Sequence, residues 1–381
     1  MPSVKGKLFE HFVYNLLLTC GFWPVTKDGL LIYDGTAGTM IQGLGQPHNA
    51  DVLLAPPVQT PFYFPTRLLV ECKCYDEPIG LPIIRNALGL REDINSFDIV
   101  TEEILRNRKS SRTTGVTCYP IMRYQYQVGV ASMSGFKSTA FPFAQAHRIP
   151  LISFSSALFS GVRRSIELIE ECAMRDERFA KQLLESLKRQ QEEGYIDTYF
   201  YEKIEGEAYA FVREFTQELL RFQKQITIGL LEDGTILFLM KEREDMEQGK
   251  ANRYEGPYEE EDENPYKDRY ENQYGYTDGY TDGYALHWNN QSDIWSLEDG
   301  REHYHFELPR TLYEKWIAFS EEQRSAALQL KRDYLSKIVL FGNRNDRKSR
   351  DNIRVIHLSE RFMEEAGREL KKQGSNQTEL E

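Results

Sequence analysis

The chain lacks long hydrophobic runs. None approaches the roughly 18 uncharged apolar residues of a membrane-spanning helix, and mean hydropathy is −0.56, so a membrane protein is excluded. Cysteine is scarce as well. Five are present (Cys20, Cys72, Cys74, Cys118 and Cys172), with no Cys-x-x-Cys pair and no Cys/His group at zinc spacing. An odd number without such pairs argues against a disulfide framework or a structural zinc site. No secretory leader is expected: Asn15 interrupts the apolar run Phe12 to Phe22, Glu10 and His11 precede it, and no small-x-small cleavage pattern follows. The sequence therefore reads as cytoplasmic, with no membrane partner.

Net positive charge is absent from the whole chain, whose formal charge is −12, and taken as a total that argues against a nucleic-acid partner. Its distribution says otherwise. Residues 1–155 hold 14 Lys+Arg against 12 Asp+Glu, a balance of +2, and the remaining 33 and 47 leave −14. The acidic excess belongs to the second part.

At 381 residues, 40% of them hydrophobic, the chain is long enough for more than one core. From Lys5 to Cys20 the residues Phe9, Phe12, Val13, Leu16, Leu17 and Cys20 recur at helical spacing, and Gly21 ends the pattern. Short apolar runs bounded by Gly, Pro or Asn follow at Leu30 to Tyr33, Thr39 to Gln42, Asp51 to Ala55 and Arg67 to Cys74, each too short for a stable helix and each read as a strand. Ile79 to Ile94 is read as helix, Tyr126 to Ser132 as strand, Phe136 to His147 as helix and Pro150 to Phe154 as strand. Long charged helices over Val162 to Glu193 and Glu205 to Gln225 come next. A hairpin Ile226 to Leu231 and Thr235 to Met240, strands His303 to Leu308 and Ile353 to Leu358, and a helix from Thr311 to Ser336 complete the pattern. This predicts an α/β domain over 1–158, a helical connector over 159–225 and an α+β accessory domain over 226–381. The last carries an acidic, Tyr-rich insertion over 243–284. Within it, Tyr254 to Tyr284 holds eight tyrosines and ten acidic residues against Lys267 and Arg269. It reads as a solvated insertion, a contact for a partner protein, or an acidic mimic of nucleic acid lying in the protein's own groove.

One constellation carries chemistry. Asp51 opens one strand and Glu71-Cys72-Lys73 closes another. Alternation puts Glu71 and Lys73 on one face and Cys72 and Cys74 on the other, and a hairpin pairing brings Asp51 beside Glu71. Two adjacent carboxylates repel each other, and one lysine cannot neutralise both. A hard divalent cation relieves the repulsion and takes oxygen ligands. Acidic-x-Lys triplets also occur at Asp346-Arg-Lys348 and Glu369-Leu-Lys371, but only the first follows an apolar strand and has an upstream Asp at the mouth of another. The bland reading of the same three residues is a surface ion cluster.

These residues, with Gly6-x-x-Phe9-Glu10-x-x-Val13-x-x-Leu16-Leu17, Asn49-Ala50-Asp51, Ser134-Gly135-Phe136-x-x-x-Ala140-x-x-x-Ala144 and Arg148-Ile-Pro-Leu-Ile152, resemble the Mrr-like branch of the PD-(D/E)xK, or restriction endonuclease-like, superfamily. The resemblance covers residues 1–158 only. It implies a mixed central sheet flanked by helices and Mg²⁺-dependent hydrolysis of DNA phosphodiesters, in restriction or anti-phage defence, with Mn²⁺ as a possible substitute. By resemblance Asp51, Glu71 and the main-chain carbonyl of Cys72 hold the metal, Lys73 is catalytic, and Glu10 approaches the same site. Two features depart from the branch. Glu71 stands where it commonly has Gln, and Gln46-Pro-His-Asn-Ala50 replaces its glycine-rich turn. Cutting both strands takes two active sites, which points to a homodimer.

Other candidates are weaker. Arg106, Arg108, Lys109 and Arg112 form a basic loop suited to phosphate contacts, or to plain solvation. Ser134, Gly135 and Lys137 sit where free N–H groups at a helix start can take a phosphate, or be capped. His48 can reach phosphate or be incidental. His303 and His305 share a strand face without an evident third ligand. Arg344, Arg347, Lys348, Arg350 and Arg354 form a basic run, and Tyr195 to Tyr201 an aromatic cluster read as core. The alternative to an enzyme is a nuclease fold that binds nucleic acid or a partner protein without cutting.

Overall fold

A computed structural model describes residues 3–35, 38–59, 63–97, 123–193, 207–231, 236–241, 285–289, 294–298, 303–307, 337–342 and 353–357. It divides into two compact units, Met1–Leu219 and Leu220–Glu381.

The first unit is mixed α/β. Helix α1 (Val4–Thr19) is buried on nearly every side, with Leu8, Phe9, Phe12, Val13, Leu16 and Leu17 enclosed. Both ends are tied. Ser3 Oγ accepts from Gly6 N, and the Glu170 carboxylate accepts from Ser3 Oγ at 3.0 Å and from Lys5 N at 2.7 Å, satisfying N–H groups that a helix start leaves open. At the far end Gly21 takes φ +88°, and bonds from Phe22 N to Leu17 O and from Gly21 N to Leu18 O close a Schellman turn.

The strands are β1 (Trp23–Pro24), β2 (Ile32–Gly35), β3 (Gly38–Ile41), β4 (His48–Asn49), β5 (Val52–Ala55), β6 (Thr66–Lys73), β7 (Gln125–Ser132) and β8 (Leu151–Ser153). The central sheet has the order β1-β5-β6-β7-β8. It is mixed: β1, β5 and β6 pair antiparallel, whereas β6, β7 and β8 run parallel. β2, β3 and β4 form a separate antiparallel sheet. Helices α2 (Leu81–Ser96) and α3 (Ala140–Ala146) share a core with the central sheet through Ile84, Ala87, Ile94, Ala140 and Ala144 against Leu53, Leu69, Val128 and Val130. α1 packs against β5 and β6 and carries Phe9 and Phe12, stacked edge-on with Phe154.

The long charged segment predicted as one helix is two, α4 (Ser160–Arg175) and α5 (Glu177–Glu193), both packed on α1 within the first unit. Asp176 makes the break: its Oδ1 accepts from Arg178 N and Phe179 N and starts a new helix. The helix predicted from Phe136 begins only at Ala140. Phe136 is instead bridged to Ile79, with Lys137 N bonded to Ile79 O, so its backbone is already committed to strand-like pairing.

Helix α6 (Glu207–Gln225) spans the division between the units. In the second unit β9 (Ile226–Leu231), β10 (Ile236–Lys241), β11 (Ala285–Asn289), β12 (Ile294–Glu298), β13 (His303–Glu307), β14 (Lys337–Phe341) and β15 (Ile353–His357) form one antiparallel sheet ordered β11-β12-β13-β10-β9-β14-β15. Trp295, Leu297, Tyr304 and Phe306 are buried in it. The predicted hairpin is β9 and β10 in direct antiparallel register, Phe238 opposite Ile228. Among the described residues no helix is long and apolar enough to cross a membrane.

Candidate functional site

β5 and β6 pair with Val52 opposite Val70, Leu53 opposite Leu69 and Leu54 opposite Leu68. One further step of that register sets Asp51 across from Glu71. Asp51 has left the strand, and its side chain takes over the ladder: Cys72 N donates to Asp51 Oδ2 at 2.9 Å. Asn49 Nδ2 donates to the other oxygen, Oδ1, at 3.3 Å. A residue's N–H and C=O point to the same strand edge. Lys73 turns its pair toward β7, where Met133 N bonds Lys73 O at 3.3 Å, so the Cys72 carbonyl lies on the opposite edge, beside Asp51.

Alternation along β6 works as the sequence reading expects. Leu69 belongs to the core shared with α2, and Glu71 and Lys73 follow on its face, while Cys72 is buried with Leu68 and Val70. Lys73 Nζ lies 2.8 Å from Glu71 Oε2, with both side chains about four-fifths enclosed (22% and 21% exposed). α1 brings a second pair: Lys7 Nζ sits 2.6 Å from Glu10 Oε2, one helical turn away, and Glu10 is 13% exposed.

The electrostatics show that these side chains share one field. Burial, then repulsion from Asp51, pushes the Glu10 carboxyl up to about 7, against the opposing pull of Lys7 and Lys73. Burial and the Glu71 charge raise Asp51 above the usual carboxylate range, resisted by the Cys72 N–H, Lys73 and Lys7. Burial works against the charge on Lys73, but Glu71 and Asp51 outweigh it and raise its pKa, so the side chain is an ammonium at neutral pH. Burial, followed by Asp51, Glu10 and Glu71, holds the Cys72 thiol far above its ordinary range.

Asp51, Glu71, Lys73 and Glu10 thus converge, and Cys72 presents its backbone to them. Lys7, which the sequence reading did not single out, joins them. Its signal was legible only as an i,i+3 Lys-Glu pair on the first helix, which is ordinarily a surface feature. Among the described residues no group of three or more His, Cys, Asp or Glu side chains is placed so that it could hold a metal ion.

The remaining candidates fall elsewhere. His48 is held by Asp93 of α2, Nε2 to Oδ2 at 2.6 Å, and that carboxylate also receives Gly45 N at 2.8 Å. It anchors the loop before β4. Lys137 has an exposed side chain and its N–H bonds Ile79 O, while Ser134 Oγ donates to Glu77 O at 2.6 Å. His303 is exposed and His305 half-buried on β13. Arg106, Arg108, Lys109, Arg112, the stretch Tyr195 to Tyr201, the Tyr-rich segment, the Thr311 to Ser336 helix and Arg344 to Arg350 lie outside the described residues; of Arg354 only its backbone position in β15 is described.

No family model and no curated protein matches the chain. One solved crystal structure, of a protein of unknown function called AF1548, is similar over 57% of this chain and 98% of its own, at 16% identity and a TM-score of 0.29. That score assigns neither fold nor activity.

Proposed function

We propose that the first unit is a divalent-metal-dependent nuclease that hydrolyses DNA phosphodiester bonds, on a restriction endonuclease-like core, in a restriction or defence role. The observation that supports it best is the meeting of Asp51, Glu71 and Lys73 at one end of the β5 and β6 pair, with Asp51 raised by its burial and by the neighbouring Glu71 charge.

The donor set fits a hard cation. Asp51 and Glu71 offer carboxylate oxygens and Cys72 a main-chain carbonyl on the Asp51 edge, the oxygen-only chemistry that Mg²⁺ or Mn²⁺ prefers. A cation bound there supplies Lewis-acid stabilisation of phosphoryl charge and lowers the pKa of water. The chain's own groups do the rest. Cys72 N fixes one Asp51 oxygen and so aims the other. Lys73 keeps its proton at neutral pH, which suits it to neutralising a phosphoryl oxygen or orienting water and unsuits it to general-base work. Glu10, pushed up to about 7, is poised to accept a proton near neutral pH. Cleaving both strands of a duplex calls for two such centres, so the reading carries a homodimer with it.

The test incubates purified full-length protein with linear and circular DNA, modified and unmodified, plus Mg²⁺ or Mn²⁺, beside Asp51→Ala and Lys73→Ala. Cleavage by the wild type and its loss in both folded variants, by at least about a hundredfold, is expected. Equal cutting by wild type and variants refutes the assignment. DNA binding by wild type without cutting under any metal favours the binding-module alternative.

A further inference from the structure

The site has two ammonium groups, and only one of them is explained by the nuclease reading. Lys73 lies on the strand that carries Glu71. Lys7 arrives from a different element and is 28% exposed, with its Nζ on Glu10. Nearby Lys5 has a separate partner, Asp76, beyond the end of β6. Among the described residues Lys7 is the further lysine that acts on this cluster: its charge is felt by both Glu10 and Asp51.

Charge counting indicates what it does. Glu10, Asp51 and Glu71, when ionised, stand against Lys7 and Lys73, leaving one negative charge. A divalent cation turns that into one positive charge, and a phosphodiester group, itself singly negative, brings the loaded centre to neutrality. Without Lys7 the same complex carries a net negative charge in a place largely shielded from water, where such an imbalance is costly. Lys7 is thus the charge that balances the substrate. It stands one turn from Glu10 on a four-carbon flexible stem, so it can leave the carboxylate without backbone movement.

We propose that Lys7 is a second substrate-binding residue of this centre, contacting a phosphate oxygen of the bound strand, and that in the ligand-free protein it rests on Glu10 as a removable counter-charge. The inference rests on the nuclease reading above and adds to it a residue and a resting state: the ligand-free site is closed by two lysine–carboxylate pairs, and ligand binding opens one of them. It follows that Lys7 opposes a cation arriving alone and favours the phosphate that arrives with it.

The experiment separates those two effects in the full chain. Mn²⁺ alone is titrated into wild type, Lys7→Gln and Lys7→Arg by calorimetry, without DNA. Lys7→Gln is expected to bind Mn²⁺ about tenfold more tightly, since a like charge has been removed, and Lys7→Arg to remain near wild type. DNA affinity is then measured with Mn²⁺ present in a Lys73→Ala background, shared by all three proteins so that turnover is suppressed and only the Lys7 substitution differs between them. There Lys7→Gln is expected to weaken binding about tenfold and to reduce the salt dependence by about one counterion, with Lys7→Arg restoring both. Unchanged or weaker Mn²⁺ affinity in Lys7→Gln, or an unchanged salt slope, overturns the proposal while leaving the nuclease reading intact. A wild-type protein that binds neither Mn²⁺ nor DNA overturns both.

Discussion

Replacing Glu10 with Gln is expected to stabilise the metal-free first unit at pH 8 and to do little at pH 5. Burial and Asp51 raise the Glu10 carboxyl from an ordinary value of 4.5 to about 7. Its folded pKa is above the unfolded one, so between those values the folded state holds a proton that the unfolded state has released. Stability therefore falls as pH rises through the window, and the full cost is present above pH 7. At 1.36 kcal/mol per pKa unit the cost is about 3 kcal/mol. The amide keeps an oxygen for Lys7 at 2.6 Å, and the attraction of Lys7 for the ionised carboxylate is already contained in the net shift. A gain of about 3 kcal/mol at pH 8 is expected. Because the chain has two units, a global melting curve mixes their transitions. Hydrogen exchange of the α1 and β6 amides reads the first unit alone, and comparing variant with wild type at one pH cancels the intrinsic exchange rate. Adding Mg²⁺ should shrink the difference, since a cation favours the ionised carboxylates. An equal gain at pH 5 and pH 8, or none at pH 8, refutes the argument that Glu10 is buried beside an ionised Asp51.

Three further outcomes are expected. His11 is fully enclosed on α1 and burial lowers its pKa from 6.5 to about 4, so the unfolded chain takes up a proton first as pH falls; stability is expected to drop by about 3 kcal/mol between those values, and His11→Leu to remove the slope in urea titrations. Gly21→Ala places a Cβ at φ +88° and 3.4 Å from Pro57 Cβ, and a loss of about 1 to 2 kcal/mol is expected from exchange of the last-turn amides of α1. Asp176→Ala removes the acceptor that starts α5; a loss of about 1 kcal/mol in the protection of its first-turn amides is expected, with unchanged protection in β6.

Much of this protein is decided locally, and those parts are legible in the sequence. The alternation of Leu69, Glu71 and Lys73 against Leu68, Val70 and Cys72 needs only the pleat of a strand, so the faces of β6 follow from residue order. Gly21 ends α1 because only a residue tolerant of positive φ closes that turn. The hairpin β9–β10 is likewise adjacent in the chain. What depended on distant partners was not legible. The break at Asp176 is a choice between continuing a charged helix and capping a new one, settled where α4 and α5 both pack on α1. His48 became an anchor because Asp93, 45 residues away, receives it. Parallel pairing of β6 with β7 set the Cys72 carbonyl on the Asp51 edge. The site's electrostatics are wholly tertiary. Which residues carry charge is written in the chain, but burial and distance decide that Glu10 titrates near 7 and that Lys7 belongs to the cluster, because Coulomb energy depends on separation in space and on excluded water, not on separation in sequence.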